Sequence, residues 1–176
     1  MKKTLAVLAA SGMALAASAD VLVVDITGWR TFAGYGNVNN SSITIPLPAG
    51  STIDSASYEI NFDAINGSWR SELVLSLNDG LVGAFFDHAP STLGSGGNFV
   101  GSGNFGSLPG AWAGGPFVLT TGSLFVTAFE TFDDGGASVQ DARINSGRIV
   151  INYTPIPAPG SLALLGLAGL AARRRR

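Results

Sequence analysis

The chain has 176 residues, a formal net charge of −2, one histidine and no cysteine. The absence of cysteine excludes disulfide bonds, thiol nucleophiles and thiolate metal sites, and a lone histidine argues against a zinc site, which normally uses several His or Cys ligands. The length predicts one domain once the terminal segments are set aside.

The N-terminal segment has the three parts of an export signal. Two lysines precede an apolar run, which ends in the small-residue site Ala17-Ser18-Ala19. We therefore expect residues 1–19 to be a signal peptide and Asp20 to begin the exported chain. A retained membrane anchor is the alternative, and the cleavage site argues against it.

Residues 20–154 are predicted to form the folded domain. They contain four arginines, no lysine and all twelve acidic residues, so their net charge is −8. An acidic domain repels nucleic acid and anionic membranes, and neither is expected as its partner.

Short apolar segments dominate this domain, and none has a sustained helical period. Residues 58–63 alternate cleanly, which predicts that Tyr58, Ile60 and Phe62 face inward. The turn sequence Asn78-Asp79-Gly80 predicts a hairpin. The whole pattern predicts an all-β fold, an antiparallel β-sandwich of about eight or nine strands. The predicted strands are 21–26, 42–45, 58–63, 72–77, 81–86, 117–120, 123–129 and 148–153.

The segment 90–116 is rich in glycine, which favours a flexible surface loop. Phe99, Phe105, Leu108 and Trp112 recur in it, so packing of part of the segment on the sandwich is the alternative.

His88 is predicted to lie in a loop after a strand. A Ser-His-Asp triad would need an activated serine beside the histidine. The sequence Gly101-Ser102-Gly103 lies in the glycine-rich segment and has no strand–turn–helix context. No catalytic residue is assigned, and we expect the chain not to be an enzyme.

Four carboxylates surround one predicted glycine-containing loop: Glu130, Asp133, Asp134 and Asp141. Such hard oxygen ligands suit Ca²⁺, although the spacing is not that of an EF-hand. A solvated acidic loop is the alternative. A glycosidase pair drawn from these residues, or from Glu59 and Glu72, depends on their separation in space.

The three tryptophans are Trp29, Trp69 and Trp112. In a sandwich, a tryptophan is expected in the core; the alternative is an exposed ring that stacks on sugars.

The C-terminal tail, residues 155–176, has three parts. Pro157-Ala158-Pro159-Gly160 interrupts regular structure, twelve apolar or small residues follow at positions 161–172, and a block of four arginines ends the segment. The arginines are Arg173, Arg174, Arg175 and Arg176. The apolar part predicts a short transmembrane helix about 18 Å long, against a hydrocarbon core of about 30 Å, with the arginines on the cytoplasmic side. A frayed terminus and a nucleic-acid-binding arm are the alternatives.

This layout resembles the PEP-CTERM sorting signal of bacterial surface proteins, with Ala158 in place of the usual glutamate. The resemblance implies export through the translocon and transient membrane insertion of the tail. It further implies processing by an exosortase-like membrane enzyme, first on an inner-membrane-anchored precursor. The destination would be the cell envelope, the surface or an extracellular polysaccharide matrix.

The domain also resembles, more loosely, the P-domain of proprotein convertases. Residues 53–62 and 69–77 are similar to its front half, with Glu72 in place of the usual Asp. Residues 122–129, 132–136 and 147–153 are similar to its back half. The resemblance implies a jelly-roll β-sandwich and bears on the fold alone.

Three functional hypotheses follow from the sequence. The first is a non-enzymatic surface or matrix protein with a structural or adhesive role. The second is a calcium-assisted carbohydrate-binding module, in which Ca²⁺ is the one candidate cofactor and a polysaccharide is the partner. The third is a glycan hydrolase.

Overall fold

The computed structural model describes residues 18–80, 85–105 and 116–156, and Ala19–Ile156 form one compact unit. Two predicted segments lie outside the described residues: the signal peptide up to Ala17, and the sorting tail from Pro157 to Arg176 with its apolar helix. In the described residues, no helix is long and apolar enough to cross a bilayer.

The residues of the predicted sorting motif all belong to that C-terminal segment, so their role stays a prediction. They are Pro157, Ala158, Pro159, Arg173, Arg174, Arg175 and Arg176.

The described residues form ten β-strands and no helix, which confirms the prediction of an all-β fold. The strands are β1 (Asp20–Asp25), β2 (Arg30–Thr31), β3 (Ser42–Pro46), β4 (Thr52–Ala64), β5 (Leu73–Asn78), β6 (Phe85–His88), β7 (Gly97–Asn104), β8 (Phe117–Val118), β9 (Ser123–Glu130) and β10 (Ala142–Thr154).

The strands make two antiparallel sheets. The six-stranded sheet has the order β1-β10-β4-β7, with β2 also paired to β10 and β8 to β4. The four-stranded sheet has the order β3-β9-β5-β6. The chain passes from one sheet to the other six times, after β2, β3, β4, β6, β8 and β9. The connections after β2, β4, β6 and β9 lie at one end of the domain.

The inward faces of the two sheets share one apolar core. Tyr58, Ile60 and Phe62 on β4 are all buried, as their alternation predicts. β5 is buried along its whole length, which fits its nearly continuous apolar sequence. Its antiparallel pairing with β6 confirms the predicted hairpin. Asn78 lies within β5 opposite Phe85, so the connection is longer than the predicted tight turn, and the paired strand is 85–88 instead of 81–86.

The glycine-rich segment is not a flexible loop throughout, because residues 97–104 form β7 and pair with β4. Phe99 packs against the core and Phe105 is part of it, so the alternative prediction is right for these two residues. Two of the glycines, Gly101 and Gly103, leave space for aromatic rings. The Phe99 ring lies over Gly101, and a methyl group on Gly103 would lie 2.8 Å from the Tyr58 hydroxyl oxygen. Leu108 and Trp112 lie outside the described residues.

Candidate functional site

Four loops meet at the end of the domain where β4, β6 and β9 finish. The β4–β5 loop (65–72) is bonded to the β9–β10 loop (131–141), where the Asn66 side-chain amide donates to the Gln140 carbonyl over 2.7 Å. The Arg70 amide donates to the Ser95 carbonyl in the β6–β7 loop over 3.1 Å. The Asn37 side chain, in the loop after β2, donates to the Ala137 carbonyl.

These loops bring five carboxylates to one end, which we call the acidic end. Glu130 lies at the end of β9, faces inward and is fully buried. Its Oε1 accepts a hydrogen bond of 2.6 Å from the Thr31 hydroxyl. Its Oε2 lies 3.4 Å from the Ser68 hydroxyl. The residues of the acidic end are Glu72, Glu130, Asp133, Asp134 and Asp141.

The Ser68 hydroxyl links two of these carboxylates, because it also lies 3.1 Å from Glu72 Oε2. A hydroxyl has one proton and cannot donate to both at once. A proton on Glu130 resolves the conflict, since Glu130 can then donate to Ser68 while Ser68 donates to Glu72. Burial raises the pKa of Glu130 to about 8, and the charges of Asp141 and Glu72 act in the same direction.

Asp141 is the least satisfied side chain of the acidic end. Its main chain is anchored, because its amide donates to the Thr31 carbonyl and its carbonyl accepts from the Ile65 amide. Its side chain is fully buried, and neither carboxylate oxygen has a hydrogen-bond partner among the described residues. Burial raises the pKa of Asp141 to about 6, with Asp133, Asp134 and Glu72 adding to the effect.

The four predicted calcium ligands differ in their surroundings. Glu130 and Asp141 are buried, whereas Asp133 and Asp134 are exposed. Asp133 Oδ1 accepts a hydrogen bond of 2.6 Å from the Gly136 amide. In residues 18–80, 85–105 and 116–156, no three His, Asp or Glu side chains stand in metal-binding geometry. The calcium assignment therefore stays a prediction.

Glu72 belongs to the same cluster, and the sequence did not place it there. It ends the β4–β5 loop, whereas the other four carboxylates lie at the end of β9 and in the β9–β10 loop, so only the folded chain brings it near them. Its position just before a buried strand, four residues after Ser68, is the one local feature that could have indicated its place in the cluster.

Trp69 contradicts the expectation of a core tryptophan, because 53% of it is exposed. It is nevertheless held firmly: its amide donates to Glu72 Oε2 over 2.8 Å, and its carbonyl accepts from the Glu72 amide. One side of the ring lies on Gly94, where a methyl group would lie 3.2 Å from the indole Cε3 atom. Trp29 packs against the core as expected, and Trp112 lies outside the described residues.

Arg70, which follows Trp69, is also held in place by hydrogen bonds. The Arg70 guanidinium donates to the Ser95 carbonyl, the Ser95 hydroxyl and the Asn98 carbonyl over 2.6 to 3.0 Å. Phe132, in the β9–β10 loop, is a second exposed ring on these loops. The acidic end thus combines carboxylates with exposed aromatic surface.

His88 is buried in β6, so the prediction of a loop histidine is wrong. Its Nε2 lies 2.9 Å from the Tyr58 hydroxyl, and its Nδ1 has no hydrogen-bond partner in the described chain. A catalytic histidine would need a carboxylate at Nδ1. The adjacent Asp87 points to the opposite face of the strand, because successive side chains alternate.

A second concave surface lies on the outer face of the six-stranded sheet. This groove of about 900 Å³ crosses β1, β10, β4 and β7, and Val23 and Val100 form part of its lining. Glu59 lies in the groove and makes an ion pair of 2.9 Å with Arg148. Glu72 belongs to the acidic end, so the two carboxylates of the hypothetical glycosidase pair occupy different surfaces.

No family model matches the chain, and no curated protein matches it. It is similar to the crystal structure of the infectious bursal disease virus VP2 subviral particle, with 15% identity, 84% of this chain and 36% of that chain covered, and a TM-score of 0.37. For the structure of the infectious bursal disease virus Gx strain, the identity is 15%, the coverage 82% and 34%, and the TM-score 0.33. The chain spans about a third of the length of these proteins, and likeness at this level assigns no function to it.

Proposed function

We propose that the chain is an exported protein of the cell surface or extracellular matrix, sorted by its C-terminal tail. Its domain, a jelly-roll-like sandwich in this proposal, has a structural and adhesive role and binds polysaccharide at Trp69. The charged start, the apolar run and the cleavage site of the first 19 residues support export. The tail with its four terminal arginines supports engagement by an exosortase-like enzyme during transient membrane insertion.

The firmly held, exposed ring of Trp69 is the observation on which the adhesive role depends. An indole face can stack on the apolar face of a sugar ring. The main chain of Trp69 donates to the Glu72 carboxylate and accepts from the Glu72 amide, and the indole ring packs on Gly94, so the residue is positioned before any ligand arrives. A group that is already ordered loses little conformational entropy on binding, which favours its use as a contact point.

The surroundings of the acidic side chains favour binding over hydrolysis. A general acid or nucleophile must contact the glycosidic bond, and a bulky glycan cannot reach the fully buried carboxylates of Glu130 and Asp141. His88 is occupied by Tyr58 within the core. These placements support a non-enzymatic role.

The test is binding of the exported protein to polysaccharide extracted from the matrix of the producing cells, measured by calorimetry or affinity electrophoresis. Trp69→Ala is expected to weaken binding about tenfold, the equivalent of roughly 1.4 kcal/mol of lost stacking. Val100→Ala is the matched control, because Val100 is exposed in the groove on the other surface.

If Trp69→Ala binds polysaccharide like the wild type and Val100→Ala binds it more weakly, the polysaccharide contacts the groove and not Trp69. The absence of saturable binding to any matrix polysaccharide would remove the carbohydrate contact and leave a structural role.

A further inference from the structure

We propose that the acidic end is a binding site for a divalent cation of the calcium class, with Asp141 as its central ligand. Glu72, Asp133 and Asp134 would supply the surrounding oxygens. This site does not depend on polysaccharide binding, and it differs from the four-residue set suggested by the sequence because Glu72 takes the place of Glu130.

The first argument is the state of Asp141. A buried ionised carboxylate is costly unless it is paired, hydrogen-bonded or bound to a metal. Both oxygens of Asp141 are buried, and neither has a hydrogen-bond partner among the described residues. The groups that face it with charge are Asp133, Asp134 and Glu72, all of which are acidic. A positive charge is therefore what this position lacks.

The described part of the chain supplies no such charge. Its one ion pair joins Arg148 to Glu59 on the outer face of the six-stranded sheet. Arg70, the arginine nearest in sequence to Glu72, uses its guanidinium on Ser95 and Asn98. Arg143, two residues after Asp141, acts on Asp63. The described charges that act on Asp141 are all negative, so we infer that the cation comes from solution.

The second argument is the convergence of two separate loops. Asp141 ends the β9–β10 loop, and its carbonyl accepts from the amide of Ile65, the first residue of the β4–β5 loop. Within that second loop, a methyl group on Gly67 would lie 3.9 Å from the Asp134 Cβ atom. Glu72 closes the same loop. Carboxylates from both loops thus border one region.

The chemistry of the donors selects a hard cation. The candidate ligands are all carboxylates, the sequence has no cysteine, and its one histidine is in the core. Ca²⁺ takes six to eight oxygens in irregular geometry, whereas Mg²⁺ requires a near-ideal octahedron. Carboxylates from two irregular loops suit Ca²⁺ better.

Glu130 has a different role in this arrangement. Its Oε1 is bonded to the Thr31 hydroxyl, and its Oε2 lies beside the Ser68 hydroxyl. Both hydrogen bonds that the described residues make to the Glu72 carboxylate go to Oε2, which leaves Oε1 for the cation. Glu130 therefore positions Ser68, and through it Glu72.

Binding requires a small closure, because three carboxylates do not yet stand in metal-binding geometry among the described residues. Asp133 and Asp134 are exposed and precede Gly135-Gly136, of which Gly136 has a φ of +91°. We expect the cation to draw the two aspartates toward Asp141.

The experiment titrates Ca²⁺ alone into the exported protein after chelation, followed by calorimetry and by the thermal unfolding midpoint. We expect a Kd on the order of 0.1–1 mM, as in other extracellular modules, and a rise in Tm with Ca²⁺. Asp141→Asn should abolish both responses. Its own Tm without Ca²⁺ should not fall, because the substitution removes an unpaired buried charge.

A second variant guards against a failure of Asp141→Asn to fold. Asp134 is exposed, so Asp134→Asn should fold normally and weaken Ca²⁺ binding about tenfold or more. Asp54→Asn is the matched control, because Asp54 accepts a hydrogen bond from Thr154 at the other end of β4. It should bind Ca²⁺ like the wild type.

The proposal is overturned if neither heat nor a Tm shift is seen up to about 10 mM Ca²⁺, well above the expected Kd. It is also overturned if Asp141→Asn and Asp134→Asn respond like the wild type. An equal response to Mg²⁺ would overturn the assignment to calcium. Since no polysaccharide is present, failure here leaves the adhesive proposal standing, and loss of polysaccharide binding in Trp69→Ala would not change this result.

Discussion

His88 Nε2 lies 2.9 Å from the Tyr58 hydroxyl oxygen, and this contact joins the two sheets through the core. Tyr58 lies on β4 of one sheet and His88 on β6 of the other, with ring centroids 4.8 Å apart. Phe105 packs against both rings. Burial lowers the pKa of His88 and raises the pKa of Tyr58, and both shifts favour the neutral forms of the two groups. The one histidine of the chain is therefore a core residue.

Tyr58→Phe tests this contact. Loss of the hydroxyl leaves His88 Nε2 buried without a partner, which should lower the free energy of unfolding by about 1–3 kcal/mol. Urea denaturation measures the change, and Tyr153→Phe, in a partly buried tyrosine, is the control. Equal losses in the two variants would show that the Tyr58–His88 bond has no special role.

The stability of the domain without calcium should fall as the pH rises from about 5 to about 8. The pKa of Glu130 is near 4.5 in the unfolded chain and is raised to about 8 in the folded one. The folded state therefore holds the extra proton in this window, and its contribution is fully present below about 4.5 and lost as the pH passes 8. The slope for one group is at most about 1.4 kcal/mol per pH unit.

Glu130→Gln should flatten this profile, because an amide can keep contacts with Thr31 and Ser68 without titrating. Asp141, whose pKa is raised to about 6, contributes with the same sign, as does buried Asp87. His88 acts in the opposite direction, since its lowered pKa makes the fold lose stability as the pH falls. Urea denaturation in chelator over this range measures the sum. A profile unchanged by Glu130→Gln would contradict the assignment of the proton.

Gly103→Ala should destabilise the domain by about 1–3 kcal/mol, because the added methyl group would lie 2.8 Å from the Tyr58 hydroxyl oxygen. Gly34→Ala is the matched control, since its methyl group would meet nothing closer than 3.9 Å. Thermal unfolding of the two variants gives the comparison. Similar Tm values for the two variants would mean that β7 or the Tyr58 ring shifts to accept the methyl group without loss of stability.

Strand β7 shows why sequence patterns predict one part of this fold and miss another. The alternation of Tyr58, Ile60 and Phe62 is local and predicts β4 correctly. The inward positions of β7 include Gly101 and Gly103, which have no side chains to form a pattern, and the Phe99 and Tyr58 rings cover them. β7 can therefore be identified only once its pairing with β4 is known.

The acidic end shows the same limit for the site. Glu130, Asp133, Asp134 and Asp141 are close in sequence, so their grouping was predictable. Glu72 lies far from them in sequence, and the connection from β4 to β5 brings it near them in the folded domain. The exposure of Trp69 depends on its contacts with Glu72 and Gly94, which follow from the folded loops and not from residue type.

Removal of calcium should weaken polysaccharide binding severalfold, because Trp69 is held by Glu72, a proposed calcium ligand. Binding of matrix polysaccharide with and without chelator measures the effect. The Asp54→Asn variant should show the same chelator dependence as the wild type, and Asp141→Asn should bind weakly in both conditions. Polysaccharide binding that is insensitive to chelator would show that the Trp69 contact does not depend on the proposed calcium site.

Deletion of the four terminal arginines, Arg173, Arg174, Arg175 and Arg176, should impair retention at the membrane and processing of the tail. The reason is that positive residues hold a segment's cytoplasmic end in place. Cell fractionation gives the measurement. Replacement of the four arginines by lysines is the control and should preserve localisation. Identical distribution of the deletion variant and the wild type would count against sorting by the tail.

The most direct test of export and sorting is the intact mass of the native protein recovered from the envelope or the medium. We predict a chain that begins at Asp20 and ends within residues 157–160, with any glycan or lipid that processing adds. A mass that retains the N-terminal 19 residues, or that still includes Arg176, would contradict the proposed processing at that end.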